Sequence, residues 1–342
     1  MSMTSRERVL AALNGQAVDR TPICCPTSVA TVELMDLVDA PFPDANRQAE
    51  PMARLAATAH TILGFDTVMP VFSIIQESSA LGCKMQWEGK DNWPTVRMAE
   101  PIWEHADDIY VPNDLVDHPD TKCVLDAIKL LREDLGPDVA IIGKTMGPWS
   151  LAYHCFGVEA FLLMSLDDPD QTRRILDILK QVTVDFGVAQ IEAGADALTL
   201  PDHATGDLVS GEYYERYLRD LHIEFAQSLA CPIILHICGR TVDRMEFIAQ
   251  TGMAAFHFDS KNTPAESMAI VDERIALVGN INNPETLFSR DPEDVESEVF
   301  LNLDAGVPLI GPECAIPLQT SLENLQAIPR AVKTWHAERS NG

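Results

Sequence analysis

Eight short apolar runs recur along the chain, each followed by a polar stretch and then a helical pattern. They cover residues 21–25, 66–71, 139–143, 195–200, 232–236, 254–259, 275–280 and 307–311. Most are apolar almost without interruption, as expected of parallel strands covered on both faces. Between the fourth and fifth runs and their neighbours lie plausible helices. In 169–193, Ile175, Leu176, Leu179, Val182 and Phe186 make one apolar face, and Gly194 provides a stop. Segments 210–230 and 241–250 read the same way, and 284–288 and 292–305 fill the gap between the last two runs. Pro292 suits a first helical position. Eight strands alternating with helices predict an α/β protein, a (β/α)8 TIM barrel. A doubly wound sheet is the rival, but no GxGxxG follows any run.

The length of 342 residues is compatible with one barrel domain spanning 1–342, with 1–20 as an N-terminal helical extension. Residues 74–137 are too long for one crossover and are expected to hold an insertion after the second strand. Within it, QWEGKDNW at 86–93 reads as a hairpin. The 25 Lys+Arg against 52 Asp+Glu give a formal charge of −27. Such a surface repels phosphates, so neither nucleic acid nor an anionic membrane is an expected partner. No run reaches the ~18 apolar residues of a membrane span, and no leader pattern is evident, so the expected location is cytoplasmic. Eight Cys are too few for a disulfide framework at this length, which leaves individual thiols for other work.

In a barrel, chemistry gathers where strands end. The fifth run leads into His236-Ile237-Cys238-Gly239, the sixth ends at Asp259, the seventh at Asn280, and the eighth leads into Gly311-Pro312-Glu313-Cys314. One imidazole and two thiolates suit Zn²⁺, and three protein ligands with one open position are the catalytic pattern. His236 and Cys238 are two apart, so on an extended strand end they face the same way. A metal there lowers the pKa of a substrate thiol. The residues alone also admit a chance His-x-Cys and two ordinary buried cysteines. Asp202, in the loop after the fourth run, is either a site carboxylate or a loop cap. Asn280 is a candidate of the same kind, and Met146-Gly147-Pro148-Trp149 either shapes a substrate wall or makes a turn. His154-Cys155 and Cys24-Cys25 are adjacent pairs whose side chains diverge on a strand, so neither is expected to share a metal. His257 is expected in the strand wall, and Trp87 and Trp93 in insertion packing.

The set His236-Ile237-Cys238-Gly239 with Gly311-Pro312-Glu313-Cys314 resembles the HxC…C motif of the zinc branch of the uroporphyrinogen decarboxylase superfamily. That branch contains the methylcobamide:coenzyme M methyltransferases of methanogenesis. The likeness continues through 6–20 (RERVLAALNGQAVDR), Thr21-Pro22, Val32-Glu33-Leu34-Met35, 143–148 (GKTMGP), 192–196 (EAGAD), 277–280 (LVGN) and Thr320-Ser321-Leu322-Glu323-Asn324. The resemblance implies a barrel with one zinc at its mouth, held by His236, Cys238 and Cys314. It also implies a carboxylate in the fourth position that a substrate thiol displaces. Asp259 stands where close relatives carry a Glu and is one methylene shorter. By the same analogy Asp259 and Asp202 are the catalytic carboxylates, while Met146 and Asn280, from their places at strand ends, are the candidate substrate contacts.

The decarboxylases carry an Arg-rich RQAGRY stretch after the first strand, whereas no Arg occurs here between Arg20 and Arg47. The resemblance therefore implies a zinc-dependent methyltransferase moving a methyl group from a methylated corrinoid to a small thiol, foremost coenzyme M. The corrinoid signature DxHxxG is broken here, because Pro201 stands where its Asp belongs before His203 and Gly206. Methylcobalamin is accordingly expected on a separate corrinoid protein. The alternatives are another acceptor (tetrahydrofolate or homocysteine), demethylation of a small substrate onto a corrinoid protein, and a uroporphyrinogen-type decarboxylase. The oligomeric state is left open.

Overall fold

The computed structural model describes residues 2–340. Nine strands occur among them: β1 Thr67–Val68, β2 Met85–Gln86, β3 Thr95–Val96, β4 Ala140–Lys144, β5 Ala197–Pro201, β6 Ile233–Ile237, β7 Ala255–Phe258, β8 Ala276–Ile281 and β9 Leu309–Pro312. Seven form one parallel sheet in the order β1-β4-β5-β6-β7-β8-β9. The register is continuous across it; His236 of β6, for example, lies between Pro201 of β5 and His257 of β7. Every residue of β4, β5, β6, β7 and β9 is buried, which accounts for their unbroken apolar character.

The first apolar run closes the ring without forming a full strand. Ile23 makes one parallel bridge to Ile310. Around it, the Cys24 N–H donates to the Ile310 carbonyl (2.8 Å), the Ile310 N–H to the Pro22 carbonyl (3.0 Å), and the Asp66 N–H to the Ile23 carbonyl (2.9 Å). Pro22 and Pro26 flank this short stretch and contribute no N–H, which keeps the ladder short. The approach to β9 is close: a Cβ at Gly311 would sit 2.0 Å from the Cys24 carbonyl oxygen. The expected barrel is therefore present, with its first strand reduced to a single bridge.

The helices follow the periodicity with local exceptions. Pro169–Ala193 forms as expected, with the Asp168 side chain accepting from the Gln171 N–H and Gly194 closing it at φ +118°. The expected helix over 210–230 is instead two, Gly211–Tyr217 and Arg219–Ser228, meeting at Leu218. Residues Asn283–Leu287 wind as one π-helical turn, and Pro292–Asp304 is helical. The N-terminal segment carries the helix Ser5–Leu13 with a Thr4/Glu7 capping box. The hairpin β2–β3 pairs Met85 with Val96 and Gln86 with Thr95, in the place QWEGKDNW predicts. Among the described residues no single helix is long and apolar enough to cross a membrane. A bent pair, Pro148–Phe156 and Val158–Asp167, is apolar enough, but every residue of its first helix is buried in the core.

Candidate metal centre

β6 carries His236 as its penultimate residue and delivers Cys238 one residue past its end. The ring is 2% exposed and lies at 4.6 Å and 33° to the ring of His257. His236 Nδ1 is 3.3 Å from the His257 carbonyl oxygen, which only accepts, so this nitrogen carries the proton. The lone pair of Nε2 is thereby turned to the thiols, 3.0 Å from Cys238 Sγ and 3.5 Å from Cys314 Sγ. The two sulfurs are 3.3 Å apart although 76 residues separate them in sequence. All three ligand atoms lie within 4.8 Å of one another.

Two loops make this possible. Cys238 is followed by Gly239 at φ +80°, where an added Cβ would meet Thr205 Oγ1 at 2.4 Å. The Gly239 N–H donates to Asp259 Oδ2 at 2.7 Å. Cys314 is preceded by Glu313, whose Oε2 accepts from the Ser260 N–H and Oε1 from the Asn283 N–H, both at 2.8 Å. Glu313 thus joins the loops after β7, β8 and β9. Burial pushes its carboxyl pKa up, with the amide hydrogen bonds acting the other way. Between the thiols, the hydrogen bond from Cys238 holds Cys314 well below an ordinary thiol, while Cys238 is raised as the proton-bearing partner.

The donor set fits a thiophilic divalent ion such as zinc. Zn–S near 2.3 Å and Zn–N near 2.0 Å in a tetrahedron imply donor separations of about 3.5–3.8 Å. The His236–Cys314 separation of 3.5 Å matches, while Cys238 lies closer to both, at 3.0 and 3.3 Å, so a small outward turn of Cys238 would seat an ion. The carbonyl on His236 Nδ1 is the outer partner that ligating imidazoles usually have.

His236 and Cys314 open onto a cavity of about 260 Å³. Phe72, Ile74, Trp93, Val96 and Met98 give it an apolar wall, and Lys144, His154 and His203 contribute polar groups. Trp93 and Met98 flank β3, so the inserted hairpin covers the cavity. Trp93 also packs on Phe42, with ring centroids 5.3 Å apart.

The other sequence candidates lie close by but are turned elsewhere. Asp259 has Oδ1 on the Lys261 N–H (2.9 Å) as well as Oδ2 on Gly239, and it stands outside the three-atom cluster. Asp202 is fully buried; its Oδ1 accepts from the Ser150 N–H and its Oδ2 from His222 Nε2 at 3.2 Å. Tyr214 Oη completes that chain on His222 Nδ1 (2.8 Å). Asp202 thus fixes the loop that presents His203, whose own N–H donates to Ser150 Oγ. Asn280 Nδ2 donates to the carbonyls of Asp259 and Asn262, which braces the loop after β7. Met146 is 1% exposed, and its N–H donates to Glu77 Oε1. None of Asp259, Asp202, Asn280 and Met146 lines the cavity.

His257 sits in the wall as expected, donating from Nε2 to the Pro312 carbonyl. His154 lines the cavity with Nδ1 on Ser78 Oγ at 2.6 Å, a position its neighbour Cys155 does not share. Burial lowers its pKa to about 3, so the ring is neutral. Lys144, His203 and Glu313 are the polar residues of the site that the motif reading passes over. Lys144 was visible as a lone cation ending an apolar run, and His203 and Glu313 as polar residues at strand ends.

The uroporphyrinogen decarboxylase (URO-D) family pattern matches residues 4–335. The chain is 34% identical over 336 residues to the methylcobamide:CoM methyltransferase MtaA of Methanosarcina barkeri (strain Fusaro), which covers 98% of this chain and 99% of that one. It is 32% identical to the methylcobamide:CoM methyltransferase MtbA of Methanosarcina mazei, covering 97% and 98%. Among solved structures, a methyltransferase from Methanosarcina mazei superposes with a TM-score of 0.95 at 31% identity, covering 98% of this chain and 100% of that one.

Proposed function

The chain belongs to the uroporphyrinogen decarboxylase (URO-D) family, in its methylcobamide:coenzyme M methyltransferase branch, and from that premise we propose that it is a zinc-dependent methyltransferase carrying a methyl group from a corrinoid to coenzyme M. The observation that carries this reading is the convergence of His236 Nε2, Cys238 Sγ and Cys314 Sγ at one cavity.

These three residues would hold the metal. Bound there, zinc supplies a Lewis acid that lowers the pKa of the acceptor thiol and leaves it a thiolate at neutral pH. The protein does the rest by position. The His257 carbonyl keeps the proton on His236 Nδ1, so Nε2 stays free to ligate. Glu313 and Asp259 hold the Cys314 and Cys238 loops to their neighbours through backbone amides. The apolar wall under the hairpin gives a thiolate nucleophile a largely nonpolar surrounding. In the net reaction a sulfur–methyl bond forms, the cobalt–carbon bond breaks with its electron pair left on cobalt, and the thiol proton is released.

A cavity of about 260 Å³ lies at the small end of ligand sites and suits a short thiol. No Arg lines it and Lys144 is the one Lys in its wall, fewer cations than a polycarboxylate porphyrinogen would need. The methyl donor is a corrinoid on a partner protein, since Pro201 interrupts the nearest string to a corrinoid signature. The cytoplasm is where the acidic chain would meet such a partner.

The test follows methylcobalamin demethylation through its visible spectrum, with coenzyme M, homocysteine and tetrahydrofolate supplied separately to zinc-loaded protein. Turnover with coenzyme M, lost in Cys314→Ala together with the zinc, is the expected result. Stoichiometric zinc without turnover on any thiol overturns the reading and leaves a demethylase that charges a corrinoid partner.

A further inference from the structure

We propose that Lys144 is an anion-binding, specificity-determining residue that recognises a sulfonate or carboxylate at the end of the substrate remote from its sulfur. The inference rests on the metal reading above for the sulfur end alone.

Lys144 is the last residue of β4 and is 4% exposed. An ammonium has three N–H donors. Among the described residues Lys144 Nζ uses one, toward the Thr27 carbonyl at 3.4 Å, long for a charged donor. No carboxylate oxygen of the described residues comes within ion-pair distance of it; the buried Glu77 faces it from farther off. A buried ammonium without close partners is costly, so such a group is retained where something supplies the missing contacts. Lys144 lines the same cavity as His236 and Cys314, and much of the remaining wall is apolar. A small molecule with its sulfur at the thiol–imidazole cluster therefore meets Lys144 inside one chamber. The outer surface, at a formal −27, offers an anion no attraction of its own. Selectivity for an anionic thiol must come from within, and Lys144 is the cation placed to provide it.

The test is calorimetric binding of 2-mercaptoethanesulfonate, 3-mercaptopropionate and the uncharged 2-mercaptoethanol to zinc-loaded protein, and of thiol-free ethanesulfonate and propionate to zinc-free protein. Wild type is expected to bind a charged thiol at least tenfold more tightly than 2-mercaptoethanol, and the better of the two charged thiols identifies the anion. Lys144→Met, checked for one zinc per chain and an intact thermal transition, should weaken the charged thiol by about ten- to a hundredfold more than the uncharged one, the loss typical of a charged hydrogen bond. It should weaken ethanesulfonate or propionate in parallel. If wild type binds charged and uncharged thiols alike, the proposal falls. If Lys144→Met weakens both equally, Lys144 merely balances the ligand thiolates and the proposal also falls. Preferential binding of a charged thiol without methyl transfer sinks the proposed reaction while leaving the role of Lys144 intact.

Discussion

Glu313 is the side chain that ties the Cys314 loop to the loops after β7 and β8. Gln in its place keeps one accepting oxygen and turns an NH₂ toward the other backbone N–H. Partners of this kind behind metal ligands are worth roughly ten- to a hundredfold in affinity. Glu313→Gln is therefore expected to bind zinc that much more weakly in chelator competition; unchanged affinity would show that the loops hold Cys314 without it. His236, Cys238 and Cys314 were legible in the sequence because strand ends in a barrel converge whatever fills the loops. Asp259, Asn280, Asp202 and Met146 stand at equivalent positions, yet their polar atoms are taken up by neighbouring backbone and by His222. Position at a strand end can be read from spacing, whereas the direction of a side chain in a loop cannot. Lys144 and His203 were passed over because the cavity that gives them meaning exists only once the inserted hairpin has folded over the mouth; His154 was set aside with Cys155 as a diverging strand pair, whereas it lies on the helix Pro148–Phe156 and lines that cavity.

At the scale of elements, the turn after β6 is the demanding one. Gly239 needs both a left-handed backbone and space beside Thr205, whereas Gly306 needs only the backbone, at φ +84° with nothing within 4 Å of an added Cβ. A left-handed non-glycine residue costs about 1–2 kcal/mol. Gly306→Ala should lose about that in urea denaturation and keep its zinc. Gly239→Ala should lose more and bind zinc weakly, since the displaced turn carries Cys238; equal losses in the two variants would remove the role given to the loop. The strands were readable because a buried parallel strand is an apolar run of a particular length. The break at Leu218 was not, because the apolar period continues through both helices. The first strand also shows what pattern cannot give: its run is apolar enough, but its prolines leave it with one bridge.

At the scale of the molecule, closure of the barrel depends on Asp66. Its buried carboxylate receives Arg8 Nη1 and Arg20 Nη1 at 2.8 Å and the Ile23 N–H at 2.9 Å. It thereby ties the N-terminal helix and the bridging segment to the residue before β1. Removing one partner of a buried ion pair typically costs 3–5 kcal/mol, because the other charge is left without compensation. Asp66→Ala should lower unfolding stability by about that amount in urea titration. A loss below about 1 kcal/mol would mean that the single bridge and the packing around it suffice.

The cluster behind the catalytic reading also has a mechanical meaning for the polymer. Cys314 lies 78 residues beyond His236. An ion gripping both would act as a covalent staple does, denying the unfolded chain the freedom of that long loop. For a closure of this span the chain-entropy estimate is about 4.5 kcal/mol, comparable to the whole margin by which many domains stay folded. The metal that serves the reaction would then also serve as the clasp of the barrel, and losing it would loosen the sheet from β6 to β9 before any substrate arrived.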